Sequence, residues 1–299
     1  MVGIEEFDKK LVEIGYKAAI TPIGHVKDLE GELSETASED LKQRYLAGGF
    51  DYGILERHPD LKSLIIVASP SPQTTICFTH KGVRKPVLLP PIYADRYDIL
   101  ERVIRISGKI FGEAGYRCVP VSLPKKPLAV HSGLARYGRN NLAYVEGMGS
   151  FMRLTAFASD MPCGNDSWGE LKIMDSCRNC TLCRRNCPVK AIPDDRFLLH
   201  VERCLTFYNE KTYPFPEWMP DTAHHCLVGC MKCQECCPNN RVYLDGTVYH
   251  DGFSEEETQM ILDEAPFSGL PGSVAGKLEE LALAHYYPVL SRNLKLILR

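Results

Sequence analysis

The spacing of apolar residues changes as the chain proceeds, and the elements it predicts change with it. Near the start VEIGYKAA suits a short helix, and SEDLKQRYLAGG reads as another that ends on glycine. LKSLIIVASP is a β-branched run that stops at a proline, as a strand does. In RYDILERVIRISGKIFGEAGY the residues Ile99, Val103, Ile106, Ile110 and Phe111 recur at helical spacing, and Gly115 closes the helix before CVPVSL resumes strand character. Helix and strand thus alternate through the first half, which predicts an α/β domain. After Cys237 the pattern turns helical, with GKLEELALAHYYPVLSRNLKLILR interrupted at Pro288. No low-complexity linker separates the parts, so they are expected to pack on one another.

A chain of 299 residues with 44% hydrophobic content can bury a sizeable core. Its net charge of −3 offers no general basic surface for nucleic acid. MVGIEEFDKKLVEIGYKAA lacks the layout of a secretion signal, and no stretch approaches the roughly 18 apolar residues of a membrane span. A cytoplasmic protein without a membrane partner is expected. In that compartment thirteen cysteines point to metal binding or redox chemistry rather than disulfides. Only Cys77 and Cys118 lie in the first half, and the rest crowd between Cys163 and Cys237. The shift divides the chain into residues 1–160, 161–245 and a helical 246–299.

CRNCTLCRRNCP holds Cys177, Cys180, Cys183 and Cys187 before Pro188, which is the C-x2-C-x2-C-x3-C-P spacing of bacterial ferredoxins. In two-cluster ferredoxins the fourth cysteine ligates the other cluster, so a second run is expected. LVGCMKCQECCPNN supplies it as Cys230, Cys233 and Cys237 before Pro238. Crossed ligation then groups Cys177, Cys180, Cys183 and Cys237 around one [4Fe-4S] cluster. The other keeps Cys187, Cys230, Cys233 and a vacancy for which spacing offers Cys204, Cys226 or Cys236. Zinc is the competing reading, but it favours separated C-x2-C pairs in closed four-thiolate sites. Lone Cys77, Cys118 and Cys163 read as buried small hydrophobes. His224 and His225, beside Cys226, read as residues that shield or hydrogen-bond a cluster.

Two clusters pass electrons to something, and SGLARYGRNNLAYVEGMGSFMRL is the stretch that invites a cofactor. Gly133, Gly138, Gly147 and Gly149 allow close approach of the backbone, and Arg136, Tyr137, Arg139, Asn140, Asn141 and Tyr144 interleave them. No phosphate loop or dinucleotide fingerprint occurs. Ordinary glycine turns between helix and strand explain the same residues equally well.

This segment resembles the cobalamin-contacting G-L-x-x-x-G-[KR]-[NH]-x-L stretch of the epoxyqueuosine reductases and reductive dehalogenases. The order of CRNCTLCRRNCPVKAI, VERCLTFYNE and CMKCQECCPNN is similar too, over roughly residues 55 to 245. The resemblance implies a nitroreductase-like α/β (α+β) core holding base-off cobalamin, joined to a two-cluster ferredoxin-like domain and a helical C-terminus. It implies Cys204 as the remaining ligand of the cluster beside the corrinoid. The corrinoid would be held by Gly133, Leu134, Gly138, Arg139, Asn140, Asn141, Leu142, Gly149, Ser150 and Arg153. Tyr137, Arg139 and His131 are the candidates for catalysis, with corrin contact, surface charge or a structural histidine as the blander readings. FMN is an alternative cofactor for such a core.

The chain departs from epoxyqueuosine reductases where they carry V-D-T-G-P-x-x-[DE]-[KR], whose first aspartate donates a proton. Here the stretch is VSLPKKPLA, with Ser122 or a neighbour at that place. Together with the acidic balance and the missing helical-repeat extension, this argues against transfer RNA as the acceptor. The expected function is a cytosolic iron-sulfur, cobalamin-dependent reductase of an unidentified small molecule or corrinoid protein, with reduced ferredoxin or flavodoxin as donor. The alternative is an electron-transfer protein that activates another protein's cofactor. HKGVRKP, with four basic residues in seven, is a candidate docking patch for such a donor or a solvated loop.

Overall fold

The computed structural model describes residues 2–36, 49–93 and 96–299. Strand β1 (Lys17–Pro22) follows helix α1 (Val2–Glu13), and helix α2 (Val26–Thr36) follows β1. Strand β2 (Ser63–Pro70) is buried at every position but the last, because both of its faces are covered. It leads to β3 (Thr74–His80), β4 (Val83–Leu89), helix α3 (Arg96–Glu113) and β5 (Cys118–Pro120). Helix α4 (Lys125–His131), a hairpin of β6 (Ala135–Tyr137) and β7 (Ala143–Val145), and β8 (Met152–Ser159) complete this half.

The main sheet has the order β1-β2-β8-β5, and every pairing in it is antiparallel. On one face Ile65, Val67 and Phe157 pack against Phe7 and Leu11 of α1 and Val103, Ile110 and Phe111 of α3. On the other, Leu64, Ile66 and Ala68 meet Val26 and Leu29 of α2, Leu128 and Val130 of α4, and the β6–β7 hairpin. The two-residue alternation along β2 thus feeds two cores, each such buried side chain contributing roughly 1.5–3 kcal/mol.

The cysteine-bearing stretch has three one-turn helices, α5 (Leu182–Asn186), α6 (Leu205–Asn209) and α7 (Lys232–Glu235). Beyond it β9 (Val248–Phe253) joins a second sheet in the order β4-β3-β9, parallel to β3. Helices α8 (Glu255–Leu262), α9 (Gly272–Glu280) and α10 (Tyr287–Ile297) cover that sheet through Ile76, Phe78, Phe253, Leu278, Leu290 and Leu294.

Several expectations need correction. VEIGYKAA is not a helix: α1 ends at Glu13, Gly15 turns the chain at φ +77, and Lys17 opens β1. SEDLKQRYLAGG lies outside the described residues but for its last glycine. Pro288 stands in the first turn of α10, where its missing N–H costs nothing, and the chain breaks earlier, at Ala282 with φ 55. Strand β9 was not foreseen in the C-terminal part. HKGVRKP is exposed at 81–84, as a solvated loop is, and it also contacts that part: the Lys81 and Gly82 amides donate to Glu255, Arg84 pairs with Asp251 at 2.9 Å, and Lys85 donates to the Leu298 carbonyl. Among the described residues no helix is long and apolar enough to cross a membrane.

Candidate functional site

The cysteines sit on short turns that close quickly. Pro188 and Pro238 follow the last cysteine of each run and lead the chain away from it. Cys177, Cys180, Cys183 and Cys237 line one cavity of about 80 Å³, together with Gly138, Arg139, Asn140, Tyr144, Ser176 and Asn239. Arg139 holds the entrance loop, its guanidinium donating to the carbonyls of Cys177 at 2.9 Å and Arg178 at 3.0 Å.

The other group is set in apolar surroundings. Cys187 is buried among Val189, Ala191, Ile192, Leu205 and Met219; Cys204, Cys230 and Cys233 pack against that cluster, and Cys183 of the first group reaches it too. The Ala191 amide donates to the Cys187 sulfur at 3.3 Å. Cys226 stands elsewhere, fully buried with Phe151 and Met231 and bridged to Leu88. Cys236 lies beside the first group, within electrostatic reach of Cys237 and Cys180. Cys204 lies within electrostatic reach of Cys187, Cys230 and Cys233, whereas Cys226 lies within reach of Cys230.

Burial pushes the Cys183 thiol up to about 11, with Cys236 adding to it, and the Cys230 thiol up to about 12, with Cys204 and Cys187 adding. Four desolvated thiolates would repel one another, so these groups are stable as thiolates only around a positive metal core. All thirteen cysteines are free of disulfides. Among the described residues no three His, Cys, Asp or Glu form a single-ion site. The donor set fits two polynuclear iron-sulfur clusters. His225 braces the second group as a neutral ring: Nδ1 donates to the Ala223 carbonyl at 2.8 Å, and Nε2 accepts the Met231 amide at 3.1 Å. Burial lowers the His224 pKa to about 4.

The glycine-rich segment faces these cysteines. Gly138 and Leu142 close the β6–β7 turn with a 2.8 Å hydrogen bond, and Asn141 takes the left-handed conformation at φ 58. A Cβ on Gly138 would lie 2.5 Å from both Asn140 Oδ1 and Tyr144 Cε2, so the protein's own side chains fill the space that glycine leaves. Gly149 is needed for the same reason, because a Cβ there would meet Asn240 Oδ1 at 2.5 Å. Asn240 Oδ1 accepts the Ser150 amide at 2.9 Å, and the Ser150 hydroxyl donates to Gln234 Oε1 at 2.9 Å. Gly149 and Ser150 thus fasten the core to the second cysteine run.

Other candidates are committed to the core. Gly133 ends α4 at φ +81, and Leu134 packs on the core beside it. Arg153 donates to the Ile92 carbonyl. Tyr137 is buried edge-on to Phe197, and burial raises its pKa. His131 uses both ring nitrogens, on Gly169 O at 2.5 Å and Glu32 Oε2 at 2.9 Å. It also stacks on Trp168, whose opposite face carries His25, with ring centroids 4.4 and 4.1 Å apart. Sequence reasoning missed Lys126 of α4. It is exposed, and it lies near enough to Cys204 for that thiol to oppose the desolvation that lowers its pKa. Its ammonium donates to the Asn141 carbonyl at 3.1 Å.

Comparison with known proteins gives this arrangement a class. A family described as a 4Fe-4S double cluster binding domain matches residues 176–240. An epoxyqueuosine reductase of Lactococcus garvieae is 28% identical over 252 residues, 79% of this chain and 69% of that protein. For the relatives from Staphylococcus aureus and Cyclobacterium marinum the alignment spans only 33% and 43% of their length, at 26% and 29% identity. The fold is shared with the solved epoxyqueuosine reductase of Streptococcus thermophilus, at TM-score 0.68 and 19% identity over 100% of this chain and 81% of that one. Another epoxyqueuosine reductase, solved with an epoxyqueuosine-modified tRNA stem loop, aligns at TM-score 0.65 and 18% identity over 99% of this chain and 80% of that one. The chain is related to the epoxyqueuosine reductases and carries a 4Fe-4S double cluster binding domain. Flavin gains no support from these relatives.

Proposed function

We propose that this chain is an oxidoreductase that passes electrons from a reduced ferredoxin or flavodoxin through two [4Fe-4S] clusters to a cobalamin, at which an acceptor is reduced. The observation that carries the reading is the grouping of Cys177, Cys180, Cys183 and Cys237 around one cavity, with Cys187, Cys204, Cys230 and Cys233 packed together beside them. Cys177, Cys180, Cys183 and Cys237 hold one cluster; Cys187, Cys204, Cys230 and Cys233 hold the other. Arg139 and Asn140 fix the cysteine loops to the core, and the Ser150–Asn240 contact fixes the second run.

The cobalamin site is smaller than the sequence suggests. Gly138 and Gly149 are filled by protein and Arg153 is engaged, whereas Lys126 and the Asn141 carbonyl present polar atoms beside the Cys204 group. When bound, cobalamin would supply the low-potential nucleophilic metal centre. Lys126 would bind an amide or anionic group there and keep a proton at its ammonium. Ser122 does not replace the absent carboxylate, since its hydroxyl donates to the Gly49 carbonyl.

Metal content tests the reading. Protein purified without oxygen from cells given cobalamin should hold about eight irons per chain, as two four-iron clusters require, and about one cobalt. Eight irons without cobalt after reconstitution would leave the electron-transfer activator. The relative solved with a modified tRNA stem loop makes that RNA the first acceptor to assay, against the sequence expectation. Turnover of the stem loop would establish the relatives' chemistry here, and turnover only of small acceptors would exclude it.

A further inference from the structure

Charge is divided along the cysteine-bearing stretch, although the chain as a whole carries a net charge of −3. From residue 172 to 190, around the first cysteine run, five basic residues stand against one acidic. From 205 to 229, between Cys204 and Cys230 of the second group, three acidic residues stand against one basic. Arg178 lies between the proposed ligands Cys177 and Cys180, and Arg184 and Arg185 follow Cys183 on α5. The fold adds Arg136 of β6, because Asp175 binds both Arg178 at 2.9 Å and Arg136 at 3.4 Å. Asp194, the next acidic residue in the chain, is already paired with Arg184. Arg178, Arg185 and Lys172 are exposed, and neither Arg185 nor Lys172 enters an ion pair among the described residues. The cavity of the first group reaches the surface beside them, since Ser176, Pro238 and Asn239 in its lining are exposed.

We propose that this basic face around the first cysteine group is the docking surface for a small acidic one-electron carrier protein, whose carboxylates border its own redox centre. The proposal rests on the two-cluster reading and names where its electrons enter. Electron tunnelling weakens steeply with distance, so the carrier must seat against the cluster that is open to the surface. Positive charge around that cluster steers a negative partner to it and fixes its orientation. An RNA would be attracted by the same charges, but single-stranded RNA is read largely by stacking on aromatic rings. The apolar side chains exposed on either side of Lys172 in the chain are the aliphatic Leu171 and Ile173, which suit a protein partner. In the step served the carrier loses one electron and the first cluster gains it, and no bond is made or broken.

The experiment measures how an oxidised flavodoxin and an oxidised two-iron ferredoxin, both acidic, bind the full chain with its clusters, by titration calorimetry, and how fast the reduced probes reduce the clusters. At about 50 mM salt Lys172→Glu/Arg185→Glu should weaken binding of at least one probe about tenfold and slow reduction to match, and the gap should close at about 500 mM. Lys9→Glu/Lys81→Glu makes the same change of net charge on α1 and the β3–β4 turn, and should stay within about twofold of the wild type. Equal losses in the two variants, or none in the first, overturn the proposal, as does a wild type that binds neither probe. A first variant that loses affinity for the epoxyqueuosine-modified tRNA stem loop while carrier binding holds would give the face to RNA and overturn it too. Should that variant lose its iron, Lys172→Gln/Arg185→Gln decides in its place, with a loss of about threefold expected. With about eight irons present, a failed docking test overturns the docking surface alone. Wild-type protein devoid of iron after reconstitution overturns the cluster reading, and this one with it.

Discussion

The two cysteine groups differ in what surrounds them more than in their ligands. The first lines a cavity shared with Arg139, Asn140, Tyr144, Ser176 and Asn239 but also with Leu182 and Pro238, and only its Cys183 reaches the apolar cluster of Val189, Ala191, Ile192, Leu205 and Met219 in which the second is packed. Reduction adds negative charge to a cluster. Polar, hydrogen-bonded surroundings favour that state and apolar ones oppose it. The proposed first cluster should therefore be the easier to reduce, and the second the stronger reductant. Such a gradient suits entry of electrons at the open group and delivery from the apolar one, on the side where Lys126 stands.

The sharpest way to break this contrast is to remove its least regular member. Cys204→Ala should cut iron from about eight to about four per chain, with loss of one reduction wave. Cys226→Ala should keep all the iron and cost only about 1 kcal/mol for the small cavity left beside Phe151 and Met231. Iron analysis of the two variants decides between them, and the reverse result would move the second cluster to Cys226.

The next test separates the groups from the core. Gly149→Ala combines a left-handed backbone with a Cβ 2.5 Å from Asn240 Oδ1 and should cost roughly 2–5 kcal/mol, loosening the second run from β8. Gly133→Ala has the same backbone cost but open space around it, so roughly 1–2 kcal/mol is expected. Thermal unfolding compares them. Equal losses would show that the Asn240 contact gives way without cost.

These pairs also show where the sequence is legible. The proposed ligands within one run are separated by two or three intervening residues, so spacing alone singles out Cys177, Cys180 and Cys183. The β2 run reads equally well, since its apolar residues state their own burial. Gly149 does not, because its reason is Asn240, some ninety residues on, and glycine's local signal is the same whether a cofactor or the protein fills the space. Strand β9 is hidden likewise: VYHDGF has a polar centre and no regular alternation, and it joins a sheet through its parallel partner β3. Lys126 carries no signal in the sequence, and only the fold places it near Cys204.

The smallest effect should come from a part of the molecule that touches neither group. Burial opposes a charged His131, but the Glu32 carboxylate, the Gly169 carbonyl and more distant Asp28 outweigh it and raise the pKa above its ordinary 6.5. A raised folded-state value means that the charged ring favours the folded chain. That stabilisation is complete below pH 6.5 and is lost as pH rises through the folded value. His131→Phe keeps a ring on Trp168 and removes the charge. Its melting temperature should fall below that of the wild type in acid, and the gap should narrow as pH climbs, apart from any constant difference in packing. His25, with Asp28 at 2.5 Å and Asp166 at 2.9 Å, also stacks on Trp168 and is unchanged in this variant. A gap that stays constant with pH would mean that the Glu32 bond serves to orient a neutral ring. In either case both reduction waves should stay where they are, because the clip lies between α2, α4 and the Trp168 loop, and a shift in either wave would tie the core's packing to the clusters more closely than the contacts of Arg139, Asn140 and Ser150 require.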